Sequence, residues 1–539
     1  MKFLASIVGL CLVLSIVSFA QTDEINIVPK PRTVERHEGY FKFDRQTKIV
    51  GRSKAARKMG RILRNLILAN YGFNLEITSK LQKTPAIEFK APSPALLHNG
   101  DFTQRMYGMT VAMDGIVIEG REEGQFYAIR SLMQLLPPEF NGVAEIPAVR
   151  VVDRPRFLYR GMHLDVGRHF MPVEFVKKYI DLMSQYKFNY FHWHLTEDQG
   201  WRIEIKKYPR LTEIGSKRAE THVGFYSATF KGDGVPHEGF YTQQQIRDIV
   251  AYARARYVTV VPEIEMPGHS SAALAAYPEL SCKPDQKYNV QMTWGTFPDV
   301  YCPTERTFKF LEDVISEVVD LFPDSPYIHI GGDEVLKDMW RESPEVRELM
   351  ARENLKDVNE VQSYFVHRME RFINSKGKRI IGWEEILDGG LAPNSVVMSW
   401  QGVKSGIAAA RAHHDVIMTP TDYTYFDYRQ GDAAKEPVGQ PYYLPLEKVY
   451  SFDPVPKKLT ADEAKYVIGG QGNVWTEYMQ TPDQVEYMAF PRMLALSEVL
   501  WSQPQDKDYA DFRRRLAAQL PRLKKQHVNY RDPEVTSNK

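Results

Sequence analysis

Eight short apolar runs alternating with amphipathic stretches predict a (β/α)8 TIM barrel preceded by a small α+β domain. The first observation behind this is periodicity. The runs are Leu158–Val166, Tyr190–Thr196, Val258–Met266, Tyr327–Glu334, Arg379–Glu385, Val396–Gln401, Asp415–Thr421 and Val467–Trp475. Between them lie Val173–Gln185, Gln243–Tyr257, Thr307–Leu321 and Val361–Ser375, with apolar residues at helical spacing. The whole spans roughly 340 residues, inside the size range of such barrels. The second observation concerns the rival, a doubly wound open sheet: no run is followed by a Gly-rich phosphate fingerprint. The third is that nearly every run ends in carboxylate, histidine or tryptophan, where a barrel of this kind carries its chemistry.

Taken in order, residues 1–20 read as a secretory signal. Lys2 is the only charge, an apolar run from Phe3 to Val17 follows, and Ser18-Phe19-Ala20 offers small residues for cleavage. A membrane anchor is the alternative, but the run is shorter than the ~20 residues of a spanning helix. Leu10 before Cys11 argues against lipidation. The expected location is periplasmic or extracellular, with no membrane span. Residues 21–152 form the α+β unit. Phe41–Phe43, Ala86–Phe89 and Gly115–Glu119 alternate like strands, whereas Ala55–Asn70 and Gln125–Leu136 have helical spacing. Residues 153–505 are the barrel. Residues 506–539 supply a closing helix, Tyr509–Gln526, whose Phe512, Leu516, Leu520 and Leu523 face the barrel.

Composition narrows the function. A formal charge of +1, with 43% hydrophobic and 25% charged residues, excludes a disordered chain and argues against a nucleic-acid partner. Three cysteines exclude a disulfide-dense scaffold. Export would leave Cys282 and Cys302, which are either bridged across a loop containing Pro284, Gly295 and Pro298 or two buried thiols. All eight tryptophans lie between Trp193 and Trp501.

The strand ends suggest carbohydrate chemistry. Arg160, His163 and Asp165 come from the first run, His192, His194, Glu197 and Asp198 from the second, and Glu263, Glu265 and His269 from the third. The fourth ends in Asp333-Glu334, the fifth in Trp383-Glu384-Glu385 and the sixth in Ser399-Trp400-Gln401. Tyr423, Tyr425 and Asp427 follow the seventh, and Trp475 and Glu477 the eighth. A pyranose has apolar C–H faces that stack on aromatic rings and a rim of hydroxyls that pair with carboxylates. One such Trp is ordinarily core. Three at equivalent ends point to walls around a sugar. Asp333-Glu334 offers an acid for the leaving oxygen and an electron-rich neighbour for an oxocarbenium-like centre. His192-x-His194 has a spacing that suits a metal, since both side chains share a strand face. No second such pair stands on another run, so neither metal nor cofactor is expected.

Seven motifs carry a family resemblance: YRGMHLDVGRHF (159–170), FHWHLTEDQGWR (191–202), PEIEMPGH (262–269), HIGGDE (329–334), GWEE (382–385), SWQG (399–402) and NVWTE (473–477). In this order they resemble glycoside hydrolase family 20, the β-N-acetylhexosaminidases, and the N-terminal unit resembles that family's preceding domain. The resemblance implies substrate-assisted hydrolysis of terminal β-linked N-acetylglucosamine or N-acetylgalactosamine, with retention through an oxazolinium intermediate. It gives Glu334 the general acid and base role, and Asp333 the task of orienting the acetamido group. Arg160 is matched to the arginine on the 3- and 4-hydroxyls, and Tyr425 and Asp427 to the acetamido neighbours. Trp383, Trp400 and Trp475 are matched to the sugar box, Glu477 to the distal hydroxyls, and His269 with Glu197 or Asp198 to the supporting network. Glu265 and Glu197 depart from the family's usual Asp. Two alternatives accompany this reading: a variant that releases a disaccharide or a sulfated sugar, and a non-catalytic glycan-binding barrel.

Overall fold

The computed structural model describes residues 24–80, 85–97, 104–225 and 229–533. The expected signal at residues 1–20 lies outside them. The N-terminal unit is a seven-stranded mixed sheet: β1 (Thr33–Phe43), β2 (Lys48–Gly51), β3 (Ile77–Thr78), β4 (Ala86–Lys90), β5 (Tyr107–Ala112), β6 (Gly115–Gly120) and β7 (Ala144–Asp153), in the order β1-β7-β5-β6-β4-β2-β3. Two helices, α1 (Lys54–Tyr71) and α2 (Glu122–Leu135), pack on it. The Ser53 hydroxyl accepts the Ala56 N–H and starts α1, and Gly72 at φ 75° stops it. Met59, Leu63 and Ile67 of α1 share a core with Phe126, Ile129 and Leu132 of α2 and Ile87, Met109 and Ile118 of the sheet.

The eight expected runs all form parallel strands: β8 (Tyr159–Asp165), β9 (Tyr190–His194), β10 (Thr259–Glu263), β11 (Tyr327–His329), β12 (Arg379–Trp383), β13 (Val396–Ser399), β14 (Val416–Met418) and β15 (Val467–Gly472). Each pairs with the next, and β15 pairs with β8 to close the barrel. The helices α3 (Val173–Gln185), α4 (Gln243–Arg254), α5 (Glu305–Leu321), α6 (Val358–Ser375), α7 (Lys404–Arg411) and α8 (Arg492–Trp501) accompany them. Between β12 and β13 the one helical element is a short 3-10 segment, Glu384–Leu387. Several strands stop short of their predicted ends. β11 ends at His329 because Gly331 and Gly332 turn into the left-handed region, at φ 66° and 98°.

The last helix, α9 (Tyr509–Lys525), does more than cover the barrel. Arg515 makes a two-pronged pair with Glu498 of α8 at 2.6 and 2.7 Å, and donates to the Ile27 carbonyl. Arg522 donates to the carbonyls of Met133 and Gln134, beyond the domain boundary. From the barrel side, Trp501 is buried in the N-terminal core and its Nε1 donates to Asp153. Asp153 also receives Lys187 Nζ at 3.0 Å and the Tyr107 hydroxyl at 2.8 Å. Cys282 and Cys302 are bridged.

Candidate active site

Strand register sets the floor of the site. Asp165, His194, Glu263 and His329 are neighbours across β8 to β11, so four adjacent strands end at one level. His192 and His194, two residues apart on β9, both turn inward toward Glu263, while Phe191 and Trp193 turn outward into the helical layer. Glu263 accepts from Trp383 Nε1 at 2.9 Å and pairs with His194 Nδ1, while His192 Nε2 and His329 Nδ1 lie 3.1 and 2.8 Å from it. Burial pushes His192 down to about 4. Burial also acts against His194, but Glu263 and Glu197 on its two nitrogens outweigh it and raise the ring to about 10. His163, His192 and Glu263 are close enough to ligate a cation, as are His194, Glu197 and Glu265. Glu263 and His194 already spend their ligating atoms on one another, which describes an ion-pair chain more than a vacant coordination sphere.

Above this floor stand Asp333 and Glu334. Glu334 adopts φ 51° and His269 φ 45°, left-handed conformations that cost about 1–3 kcal/mol each in non-glycine residues. Gly331 has no room for a side chain, since a Cβ there would lie 1.7 Å from Glu265 Oε2. His269 joins the two levels. Its Nδ1 lies 2.8 Å from Glu197 and 3.0 Å from Asp198, and its Nε2 lies 3.5 Å from Asp333 and 3.7 Å from Glu334. Burial disfavours its charge, but Glu197 and Asp333 hold it protonated, well above the ordinary imidazole range. Both Glu197 and Asp198 therefore support it. The Glu334 side chain is 40% exposed, and the Thr296 hydroxyl donates to its Oε2 at 2.6 Å. Glu265 is buried, and neither of its oxygens has a hydrogen bond. Burial and the nearby Asp333 push its carboxyl well above the ordinary carboxylate range.

The walls are aromatic. Trp383 and Trp475 have ring centroids 5.7 Å apart, Tyr425 lies 6.4 Å from Trp475, and Trp400 stacks on Tyr425 at 6.2 Å. Trp383 is only 1% exposed, so it supports the pocket from below, where Trp400 and Trp475 are more open. Asp427 and Glu477 close the polar end. Asp427 is buried and Glu477 half-buried, and Asp427 Oδ1 and Glu477 Oε2 make no hydrogen bond. Burial, followed by the mutual proximity of the two, raises Asp427 well above the carboxylate range.

Arg160 is not part of this site. It is the second residue of β8, at the opposite end of the barrel from Asp165. Its guanidinium is spent on the carbonyls of Lys187 and Phe157 and on the Tyr127 hydroxyl, and it lies 5.1 Å over Trp501. A residue before the strand's midpoint cannot reach a pocket at its C-terminal end. The arginine that does reach it is Arg168, three residues beyond β8. It pairs with Glu197 at 3.0 Å, approaches Asp165 at 3.6 Å and lies 5.0 Å over Trp475. Its Nε and Nη1 make no hydrogen bond. Burial opposes its charge, but Glu197 and Asp165 more than offset this. Sequence reasoning also passed over Thr296, and it placed Glu385 at a strand end without giving it a role. Glu385 accepts from Trp400 Nε1 and Gln401 Nε2, and burial with Asp333 nearby raises it to about 8. The strand-end rule, applied residue by residue, selects Arg168. No local pattern marks Thr296.

Unpaired polar atoms facing aromatic walls, beside an Asp-Glu pair, fit a polyhydroxylated ligand with one apolar face. Comparison with known proteins agrees. The glycosyl hydrolase family 20 catalytic domain matches residues 157–504, and domain 2 of the same family matches residues 24–154. The chain is 45% identical to a β-hexosaminidase of Porphyromonas gingivalis over 518 residues, which is 94% of this chain and 64% of that protein. A β-hexosaminidase of Vibrio furnissii is 36% identical over 480 residues, 88% of this chain and 76% of that one. Among solved structures, an exo-β-N-acetylglucosaminidase from Vibrio harveyi in complex with N-acetylglucosamine is similar at TM-score 0.84 and 34% identity, over 95% of this chain and 79% of that one. A mutant Streptomyces plicatus β-hexosaminidase in complex with its GlcNAc product is similar at TM-score 0.81 and 30% identity, over 95% and 98% of the two chains. The chain belongs to glycosyl hydrolase family 20.

Proposed function

We propose that this chain is an exo-acting, retaining β-N-acetylhexosaminidase that removes terminal N-acetylglucosamine or N-acetylgalactosamine from glycans. The observation that carries the reading is the Asp333-Glu334 pair, braced through His269 and set against the Trp383–Trp475–Tyr425 walls. The half-exposed Glu334 donates its proton to the glycosidic oxygen as the C1–O bond breaks. The substrate's own acetamido oxygen forms the new bond to C1, giving an oxazolinium ion. Asp333 accepts the acetamido N–H and offsets the growing positive charge, and the Tyr425 hydroxyl orients the carbonyl. Glu334 then takes a proton from water as that water attacks C1 and opens the ring, with net retention. Arg168 and Glu477, beside Asp427, hold the sugar's hydroxyls, and the bidentate fork of an arginine suits paired hydroxyls.

In steady-state kinetics on an N-acetyl-β-glucosaminide, Glu334→Gln and Asp333→Ala should each lower kcat by about 10²–10⁴-fold. A thiazoline mimic of the oxazolinium should inhibit the unaltered enzyme strongly. Turnover near wild type in either variant would remove that residue from the mechanism. We further infer export through residues 1–20, supported by their charge and apolar pattern and by the paired Cys282 and Cys302. Mass spectrometry of the exported protein should find Gln21 at its N-terminus. A cytoplasmic chain retaining Met1 would contradict this.

A further inference from the structure

The loop between β10 and α5 places one hydroxyl on Glu334. Thr296 Oγ1 donates to Glu334 Oε2 at 2.6 Å. Thr296 is itself exposed, yet the chain on both sides of it is fastened. Before it, the Gln291 N–H donates to the Asp198 carbonyl, Gln199 Nε2 donates to the Thr293 carbonyl at 2.8 Å, and Trp294 is buried against the His169 ring. After it, Asp299 accepts from Ser271 Oγ at 3.0 Å and from Gln291 Nε2 at 3.1 Å. The Tyr301 N–H donates to the Pro267 carbonyl, and Cys302 is bridged to Cys282. A β-branched side chain has a stiff χ1, and here its backbone is held from both ends. The contact is therefore built into the loop and is not a chance approach of two surface groups.

Two groups address the same oxygen. His269 Nε2 also lies 3.7 Å from Glu334 Oε2, and its ring is protonated. Among the described residues nothing hydrogen-bonds Oε1. A carboxylic acid carries its proton on one oxygen. A donated hydroxyl and a nearby cation both favour a lone pair on Oε2, which leaves the proton to Oε1. Glu334 and Thr296 line a cavity of about 350 Å³ together with Glu385 and Gln401. In the hydrolase reading the leaving group departs into that space.

We propose that Thr296 is a positioning residue for the acid: its hydroxyl keeps Glu334 Oε2 as an acceptor, so that the catalytic proton sits on Oε1 and is aimed at the glycosidic oxygen. The inference rests on the hydrolase reading above. In the step concerned, the Oε1–H bond breaks as a new O–H bond forms on the leaving oxygen, and the C1–O electron pair passes to that oxygen. Negative charge appears on the carboxylate at the same time. A hydrogen bond to a charged oxygen is roughly twice as strong as one to a neutral oxygen. The Thr296 contact thus strengthens toward the transition state, which is where an interaction accelerates the chemistry.

The experiment compares leaving groups. N,N′-Diacetylchitobiose releases a sugar oxygen that needs the proton, whereas 2,4-dinitrophenolate departs without one. Thr296→Val keeps the shape of the side chain and removes the hydroxyl. It should lower kcat/KM on N,N′-diacetylchitobiose by about 10–100-fold, the value of one hydrogen bond to a charged group, and leave 2,4-dinitrophenyl N-acetyl-β-glucosaminide within about twofold. Thr296→Ser returns the hydroxyl and should recover most of the loss. Equal losses on both substrates would show that Thr296 only shapes the pocket. No loss on either would show that its hydroxyl does not direct the proton, and either result overturns the proposal. A wild-type enzyme inert toward both substrates would instead defeat the hydrolase reading, so the two failures are distinguishable.

Discussion

Two arginines eight positions apart show what sequence alone conveyed at the scale of a residue. Both lie in YRGMHLDVGRHF, and the resemblance, read on that motif, put the sugar contact on Arg160, the wrong one of the two. Strand direction decides it, because Arg160 enters β8 from the bottom and Arg168 follows its top. The same argument explains why Asp333, Glu334, His269 and the three tryptophans could be read from their motifs. Each stands at or just beyond the C-terminal end of a strand whose apolar run was visible. Arg168→Lys keeps the charge but loses the fork, and should lower kcat/KM by roughly 10–100-fold, the value of one or two charged hydrogen bonds. Arg160→Lys should lower the melting temperature and leave kcat/KM near wild type in the folded fraction, because every contact of Arg160 is to the protein's own frame. Steady-state kinetics with thermal unfolding of both variants checks this. An equal kinetic defect in Arg160→Lys would return it to the site.

Elements were legible where burial imposes a period, and became obscure where a tertiary partner takes over. All eight barrel strands were visible because each is buried on both faces and so reads as a continuous apolar run. Their ends were over-extended at β11. Ile330 continues the apolar run, and only two left-handed glycines break the ladder. The segment after β12 shows the opposite effect. Glu384 accepts from Ser399 Oγ, Ser405 Oγ and the Trp400 N–H, so one buried carboxylate ties the end of β13 to the start of α7. Composition permitted a Cys282–Cys302 bridge but did not require one. In the structure the bridge closes the segment that carries Thr296 to Glu334, so a covalent staple lies at the base of a catalytic contact. Nothing in the spacing of Thr296 reveals that contact, because a loop residue positioned from both ends has no period.

For the whole molecule, the sequence separated two domains correctly and missed how closely they are joined. The absence of tryptophan from the first 192 residues sets the N-terminal unit apart from the barrel. Its core is in fact completed by Trp501 of α8, which contacts the Tyr127 ring at 5.2 Å and donates to Asp153. The buried pair of Lys187 with Asp153 lies at the same junction, and Lys187 Nζ is 4.5 Å from the Trp501 ring. Removing the indole would therefore leave a cavity and take one donor from Asp153, while Lys187 keeps its counter-ion. Trp501→Ala should cost about 3–5 kcal/mol, the usual range for truncating a buried tryptophan. That loss is concentrated at the seam, so the two domains should cease to unfold together. Differential scanning calorimetry should resolve one transition for the wild type and two for the variant, the earlier one belonging to the N-terminal domain. Limited proteolysis should then cut near residue 154 before the barrel is attacked. A single transition shifted by less than about 1 kcal/mol would mean that α9, through Arg515 and Arg522, holds the seam without Trp501.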